Sequence, residues 1–209
     1  MTLQYSLPFA VNDLEPVLSH QEVATHFLVH TQQYLTTLNE LVAGTAFEAR
    51  SLEDLAHNTS IKQSDAKLWH VVSQAYNHKL FWDGLKPHSA DPIQPSTQVM
   101  AAIVHQFDTV DALLRAVVDE SDRVFGSGWV WVCMSERGMY VTHTPNAIRP
   151  MDDATILWCV DVLEHAYLYD QKYVGDRKSY VSELVKLVNW KVVNARYEEY
   201  EKDHTDKDE

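Results

Sequence analysis

The stretch Asp161-Val162-Leu163-Glu164-His165-Ala166-Tyr167 places a carboxylate and an imidazole four residues apart. The apolar run before it, Ala154-Thr155-Ile156-Leu157-Trp158-Cys159-Val160, reads as a buried strand. Asp161 therefore falls where a strand runs out, with its position set by the scaffold and open chain ahead of it. Alone, a D-x-x-x-H pair is a weak signal, more often a capped helix start with a satisfied histidine than a metal site. Two further histidines in compatible settings far upstream turn the reading toward a metal.

Working outward, two more strands precede this one. Gly126-Ser127-Gly128 is a flexible break, followed by Trp129-Val130-Trp131-Val132-Cys133-Met134. Ser135-Glu136-Arg137-Gly138 reads as a turn, and Met139 to Thr144 returns as a partner strand. The expectation is a small antiparallel sheet of three strands. Upstream the grammar is helical. Ser19 is a plausible N-cap, with Glu22 completing a capping box, for a helix running to about Val42 and ended by Gly44. Asn58 to Ser64 reads as a turn, and Ser64 or Asp65 caps a second helix from about Ala66 to Leu85. Two long helices joined in this way suggest an antiparallel hairpin. Lys86 to Ser96 contains Pro87, Pro92 and Pro95 and cannot continue a helix. Thr97–Phe107 and Thr109–Val118 read as shorter helices, and Ser179 to about Lys202 as a last one. The expected architecture is α+β: an α-hairpin domain over residues 1–88, then an α/β domain over residues 89–209 that ends in an acidic tail.

Composition narrows the function. A formal net charge of −13 argues against a nucleic-acid partner and against an anionic membrane surface, both of which want a basic stripe. No apolar run approaches the roughly 18–20 residues that cross a bilayer. The opening Met1 to Pro8 lacks the basic segment and apolar core of a secretory signal, so the cytoplasm is the expected compartment. Cys133 and Cys159 sit in strand-like apolar contexts and read as reduced core residues. Eleven histidines and six tryptophans are more than average usage leads one to expect, and histidine is the commonest metal ligand.

On the first helix, His26, His30 and Tyr34 fall at i, i+4 and i+8; on the second, His70, Gln74 and His78 share a face. The residues that could gather are His26, His78, Asp161 and His165. Mixed nitrogen and oxygen donors suit iron or manganese, with zinc also open. The donors come from both halves of the chain, which would put a metal between the two domains. Spacing alone also admits His26 and His30 as a ligand pair.

From Leu7 to about Arg196 the sequence resembles the iron/manganese superoxide dismutase family. The residues that carry the resemblance are Leu7-Pro8-Phe9 and Leu14-Glu15-Pro16, then Thr25-His26-Phe27 with His30, Gln32, Tyr34 and Leu38-Asn39. Asn77-His78-Lys79-Leu80-Phe81-Trp82, Phe125 to Trp131, Asp161 to Tyr167 and Leu187-Val188-Asn189-Trp190 follow in order. The resemblance implies that His26, His78, Asp161 and His165 bind the metal, with a solvent molecule completing the coordination, and that superoxide is dismuted there. It implies Tyr34 and His30 at the substrate entrance and Gln74 facing the bound solvent. Trp82, Trp129 and Trp131 would wall the pocket, and Arg177 would stand for an entrance arginine. Glu164 would reach the partner's His165 across a homodimer interface.

In the family's iron-type members the solvent-contacting glutamine precedes the second-helix ligand by four residues, as Gln74 precedes His78. Manganese-type members supply it from the sheet, where this chain has Asn146-Ala147. The expected cofactor is therefore iron, one per subunit, with manganese as the alternative. Leu163 and Leu168 depart from the family's tryptophan and tyrosine, Thr31 and Val29 from its histidine and lysine, and Phe81 from another tyrosine. Two other readings stay open: a catalytically silent structural relative, and a metal-dependent hydrolase or oxygenase.

Overall fold

Ser19 opens the first helical stretch, its side chain accepting from the Glu22 amide at 3.1 Å. A computed structural model, in which residues 2–58, 60–61, 65–150 and 154–205 are described, shows that stretch to be three pieces. Helix α1 covers His20–Thr25, a π-helical segment His26–Thr31, and α2 Gln32–Val42. One regular helix was expected here. The wider turn lets Thr31 face inward, where its hydroxyl bonds to the His26 carbonyl and receives the Trp82 indole. The capping box is also only half made. Glu22 does not return to Ser19; it is fully buried and accepts instead from the amides of Tyr169 and Asp170.

A short helix, α3 (Leu52–Ala56), capped by Ser51 and Asp54, precedes the expected turn and was not read from the sequence. Asp65 caps α4 (Ala66–Asp83), accepting from the Leu68 amide at 2.9 Å. Ser64, the other candidate cap, and residues 206–209 of the tail lie outside the described residues. Helices α2 and α4 form the hairpin, joined by their own cluster of Leu35, Leu38, Val42, Leu55, Ile61 and Leu68.

Beyond the proline-rich connection, α5 (Thr97–Phe107) and α6 (Val110–Ser121) are capped by Ser96 and Thr109. Strands β1 (Gly128–Ser135), β2 (Gly138–Pro145) and β3 (Thr155–Asp161) form an antiparallel sheet in the order β2-β1-β3. Trp129 is paired with Asp161 at one end of the β1–β3 ladder, and a bulge interrupts the register between Val132 and Cys133. The tight β1–β2 turn is closed by Gly138 at φ 106°, a conformation glycine adopts without strain.

The last helix is two helices. Asp176 caps α7 (Arg177–Leu184), so Ser179 lies in its first turn rather than starting it. After a single turn over Val185–Leu187, α8 runs from Trp190 to Thr205. Residues 187–189 leave the helix because distant backbone claims them. The Asn189 amide donates to the Gly84 carbonyl and the Lys86 amide to that of Leu187, each at 2.8 Å. The large core lies around the sheet, between its strands, α4, α6, α7 and α8.

Candidate metal centre

Asp161 ends β3 fully buried, and its Oδ1 accepts from the Leu163 amide at 2.8 Å. That bond turns the chain into a 3-10 turn over Glu164–Ala166, which brings His165 back over the carboxylate. His165 Nε2 lies 3.2 Å from Asp161 Oδ2. His26 Nε2, from the π-helical segment, lies at 3.2 Å from the same oxygen, and His78 Nε2, from α4, at 3.5 Å. The four donor atoms all lie within 4.8 Å of one another.

The chemistry of this donor set fits a cation. His78 Nδ1 donates to the Gln74 carbonyl at 2.7 Å, which assigns its proton and leaves the Nε2 lone pair facing inward. His78 Nε2 then sits 3.4 Å from His165 Nε2. His26 Nε2, although near the carboxylate, has no aligned hydrogen-bond partner and is sealed from solvent. Buried nitrogens crowded on one carboxylate oxygen are what a metal would satisfy and water-free packing would not. Burial, which disfavours charge, pushes His26 down to about 4 and His78 to about 3. Both imidazoles are thus neutral at ordinary pH. Burial pushes the Asp161 carboxyl upward, but His165 first and His26 next outweigh it, and the net shift is strongly down.

The surrounding walls are aromatic. Phe81 and Trp82 lie 5.5 and 4.7 Å from the His26 ring, and Trp129 lies 5.2 Å from His78 with Trp131 stacked behind it at 5.7 Å. The Tyr180 hydroxyl donates to the Asp161 carbonyl, an anchor that no sequence signal marked. Tyr34 packs 5.3 Å from His78, and the Gln74 amide donates to its hydroxyl at 3.4 Å. Burial first of all holds the Tyr34 hydroxyl above the ordinary tyrosine range. Gln74 is buried with its Oε1 unpartnered. His30 brings no ring nitrogen into the donor group; its ring stacks on His165 at 4.0 Å and 17°.

Two other expected residues sit further out. Glu164 is exposed, and among the described residues none bonds to Nδ1 of His165. Arg177 is committed to backbone: its guanidinium donates to the carbonyls of Ser121, Val124 and Gly126. Its charge therefore sits on the loop that leads into β1. Asn146-Ala147, the alternative source of a solvent-facing amide, holds no glutamine, and the Ala147 carbonyl accepts from Asn77.

Comparison with known families agrees with this geometry. Residues 2–86 match the model of iron/manganese superoxide dismutases, alpha-hairpin domain, and residues 95–196 that of the C-terminal domain. The chain is similar to "Superoxide dismutase [Fe]" of Escherichia coli K12, at 35% identity over 190 residues, covering 90% of this chain and 94% of that one. It is 33% identical to "Superoxide dismutase [Fe]" of Pseudoalteromonas translucida, over 92% of this chain and 97% of the relative. It is 32% identical to "Superoxide dismutase [Fe] 1, chloroplastic" of Arabidopsis thaliana, over 91% and 89%.

Proposed function

This chain belongs to the iron/manganese superoxide dismutase family, and on that premise we propose that it converts superoxide to dioxygen and hydrogen peroxide at one iron held by His26, His78, Asp161 and His165. The observation that carries the reading is the convergence of these four donors from α-hairpin, strand end and turn onto one point. The chemistry a bound iron supplies is one-electron exchange between two oxidation states, so that two superoxide anions and two protons become one dioxygen and one peroxide.

The chain's own residues set the conditions for that exchange. Asp161 brings one negative charge to the imidazoles of His26, His78 and His165 and so limits the positive charge of the centre. Trp82, Trp129 and Trp131, all fully buried, keep bulk water off the ligands. Gln74 points its amide at the Tyr34 hydroxyl, and Tyr34 with His30 forms the side through which an anion arrives and a proton is delivered. With an overall charge of −13, the protein repels its substrate at long range, so local positive charge must attract it. Arg177 supplies such charge on the loop before β1.

Gln74, four residues before His78, favours iron; manganese would take the same donors. The division into domains falls at residues 88 and 89, in the proline-rich connection. A homodimer is supported by Glu164, exposed beside a His165 whose Nδ1 bonds to none of the described residues, and by apolar Leu168 and Tyr169 exposed a few residues further on. Free, buried Cys133 and Cys159 suit a reducing compartment such as the cytoplasm. No helix among the described residues is long and apolar enough to cross a membrane.

The test is metal content and superoxide consumption measured on one purified sample, with His78→Ala as control. Stoichiometric iron with rapid dismutation, both lost in the variant, is the expected result. Full iron without dismutation would return the silent-relative reading, and zinc in its place a hydrolase.

A further inference from the structure

Glu22 lies outside the ring of donors, yet among the described residues it is, with Asp161, the most completely buried acid: both are 0% exposed. Its Oε2 accepts from the Tyr169 amide at 2.7 Å and the Asp170 amide at 3.2 Å, two positions 147 and 148 residues downstream. The exchange is reciprocal. The Asp170 carboxylate, itself buried, accepts from the Ser19 amide at 2.9 Å, one residue before α1 begins. Two acids thus cross-bond two backbone termini: the first turn of α1 and the chain just after the His165 turn.

The placement gives the lock its meaning. Glu22 stands one helical turn before His26, and Tyr169 and Asp170 follow His165 by four and five residues. The Leu168 amide also closes back on the Glu164 carbonyl, which holds the chain between His165 and the Glu22 contact in a closed turn. The helix that carries His26 and the turn that carries His165 otherwise meet through the Ser19–Asp170 bond and through ring packing, with His26 and His30 lying 4.8 and 4.0 Å from the His165 ring. An acid buried without a cation beside it is costly, and burial pushes Glu22 up to about 7. Such a group persists where its acceptor atoms are needed.

We propose that Glu22 is a positioning residue for the metal centre, its carboxyl oxygen tying the His26 helix to the backbone that follows His165 and so fixing the distance between those two ligands. This rests on the assignment of His26 and His165 as iron ligands. Removing the acceptor lets the two ligands drift apart without touching either one.

The experiment compares iron-loaded wild type with Glu22→Gln and Glu22→Met. Gln keeps an oxygen acceptor in the same place; Met keeps the volume and removes the acceptor. Ferric EPR line shape and the rate of iron loss to a strong chelator are read beside thermal stability. Expected is a wild-type spectrum for Gln, and for Met an altered line shape with iron loss about tenfold faster. Asp170→Asn, which keeps an acceptor for Ser19, serves with Glu22→Asp if Met does not fold; the shortened Asp is then expected to shift the spectrum and Asn to preserve it. Met, or in its place Asp, with the wild-type spectrum and release rate overturns the inference. Wild-type protein that takes up no iron overturns the ligand assignment itself, and the inference with it.

Discussion

The indole N–H of Trp82 donates to Thr31 Oγ1 at 2.9 Å, joining the two helices of the hairpin directly beside the His26 ring. Both side chains are fully buried, so no water stands ready to replace either partner. The π-helical segment exists, in this sense, to let residue 31 meet residue 82.

Thr31→Val keeps the shape of the side chain and removes its acceptor. A buried indole N–H left unpaired costs about 1–3 kcal/mol. Thermal unfolding should show that loss, and serine at the same position should recover most of it. A Val variant as stable as wild type would show that the bond contributes nothing.

Gly84 faces Trp158, whose indole N–H donates to the Gly84 carbonyl at 2.9 Å. A Cβ at residue 84 would lie 2.6 Å from Cδ1 of that ring, and Trp158 is too buried to step aside. Gly84→Ala is therefore expected to destabilise by about 1–3 kcal/mol, the usual cost of overpacking. Denaturant unfolding measures it; a neutral result would mean that the α4–β3 contact is looser than its geometry.

Glu22 gives stability a pH slope. Burial, reinforced by the charge of Asp170 and opposed by the two amide hydrogen bonds, raises it from 4.5 to about 7. Below about pH 4.5 both folded and unfolded chains hold the proton. Between the two values only the folded chain does, so the preference for the folded state shrinks as pH rises through about 7, by at most ~3 kcal/mol. Glu22→Gln cannot titrate. Melting temperatures followed from about pH 5 to about pH 8 should fall for wild type relative to that variant. Parallel curves would refute this.

Glu164→Ala tests the dimer. If the exposed carboxylate orients the His165 of a second subunit, sedimentation velocity should show weaker self-association, and chelator should remove iron about tenfold faster. An unchanged dimer with unchanged iron retention would assign Glu164 to ordinary surface.

Much of the site was readable along the chain because each donor sits in a local pattern that reports itself. A strand ending in Asp161, a turn returning His165 and a helical face carrying Gln74 and His78 all follow from hydrophobic period and short spacings. Ambiguity remained where local geometry served two answers equally. His26 and His30 share a helical face, and spacing ranks neither above the other. The contact between His26 and Asp161 separates them, since it leaves His30 to stack on the outer face of His165.

Three readings failed for one reason. Glu22 follows an N-cap by three residues and imitates a capping box, but its partners lie 147 and 148 residues away. The pattern from Ser179 onward is helical throughout, yet Asn189 abandons it for the Gly84 carbonyl 105 positions earlier. The π-helical turn answers to Trp82, on another helix. Residue period, caps and the types of donor are properties of neighbours along the chain, and they were sufficient for the class of fold and the kind of metal site. Which of two equivalent groups enters the centre, and where a regular element breaks, depends on hydrogen bonds between distant segments. Those bonds form only once folding has excluded water from both partners, and no window of sequence carries them.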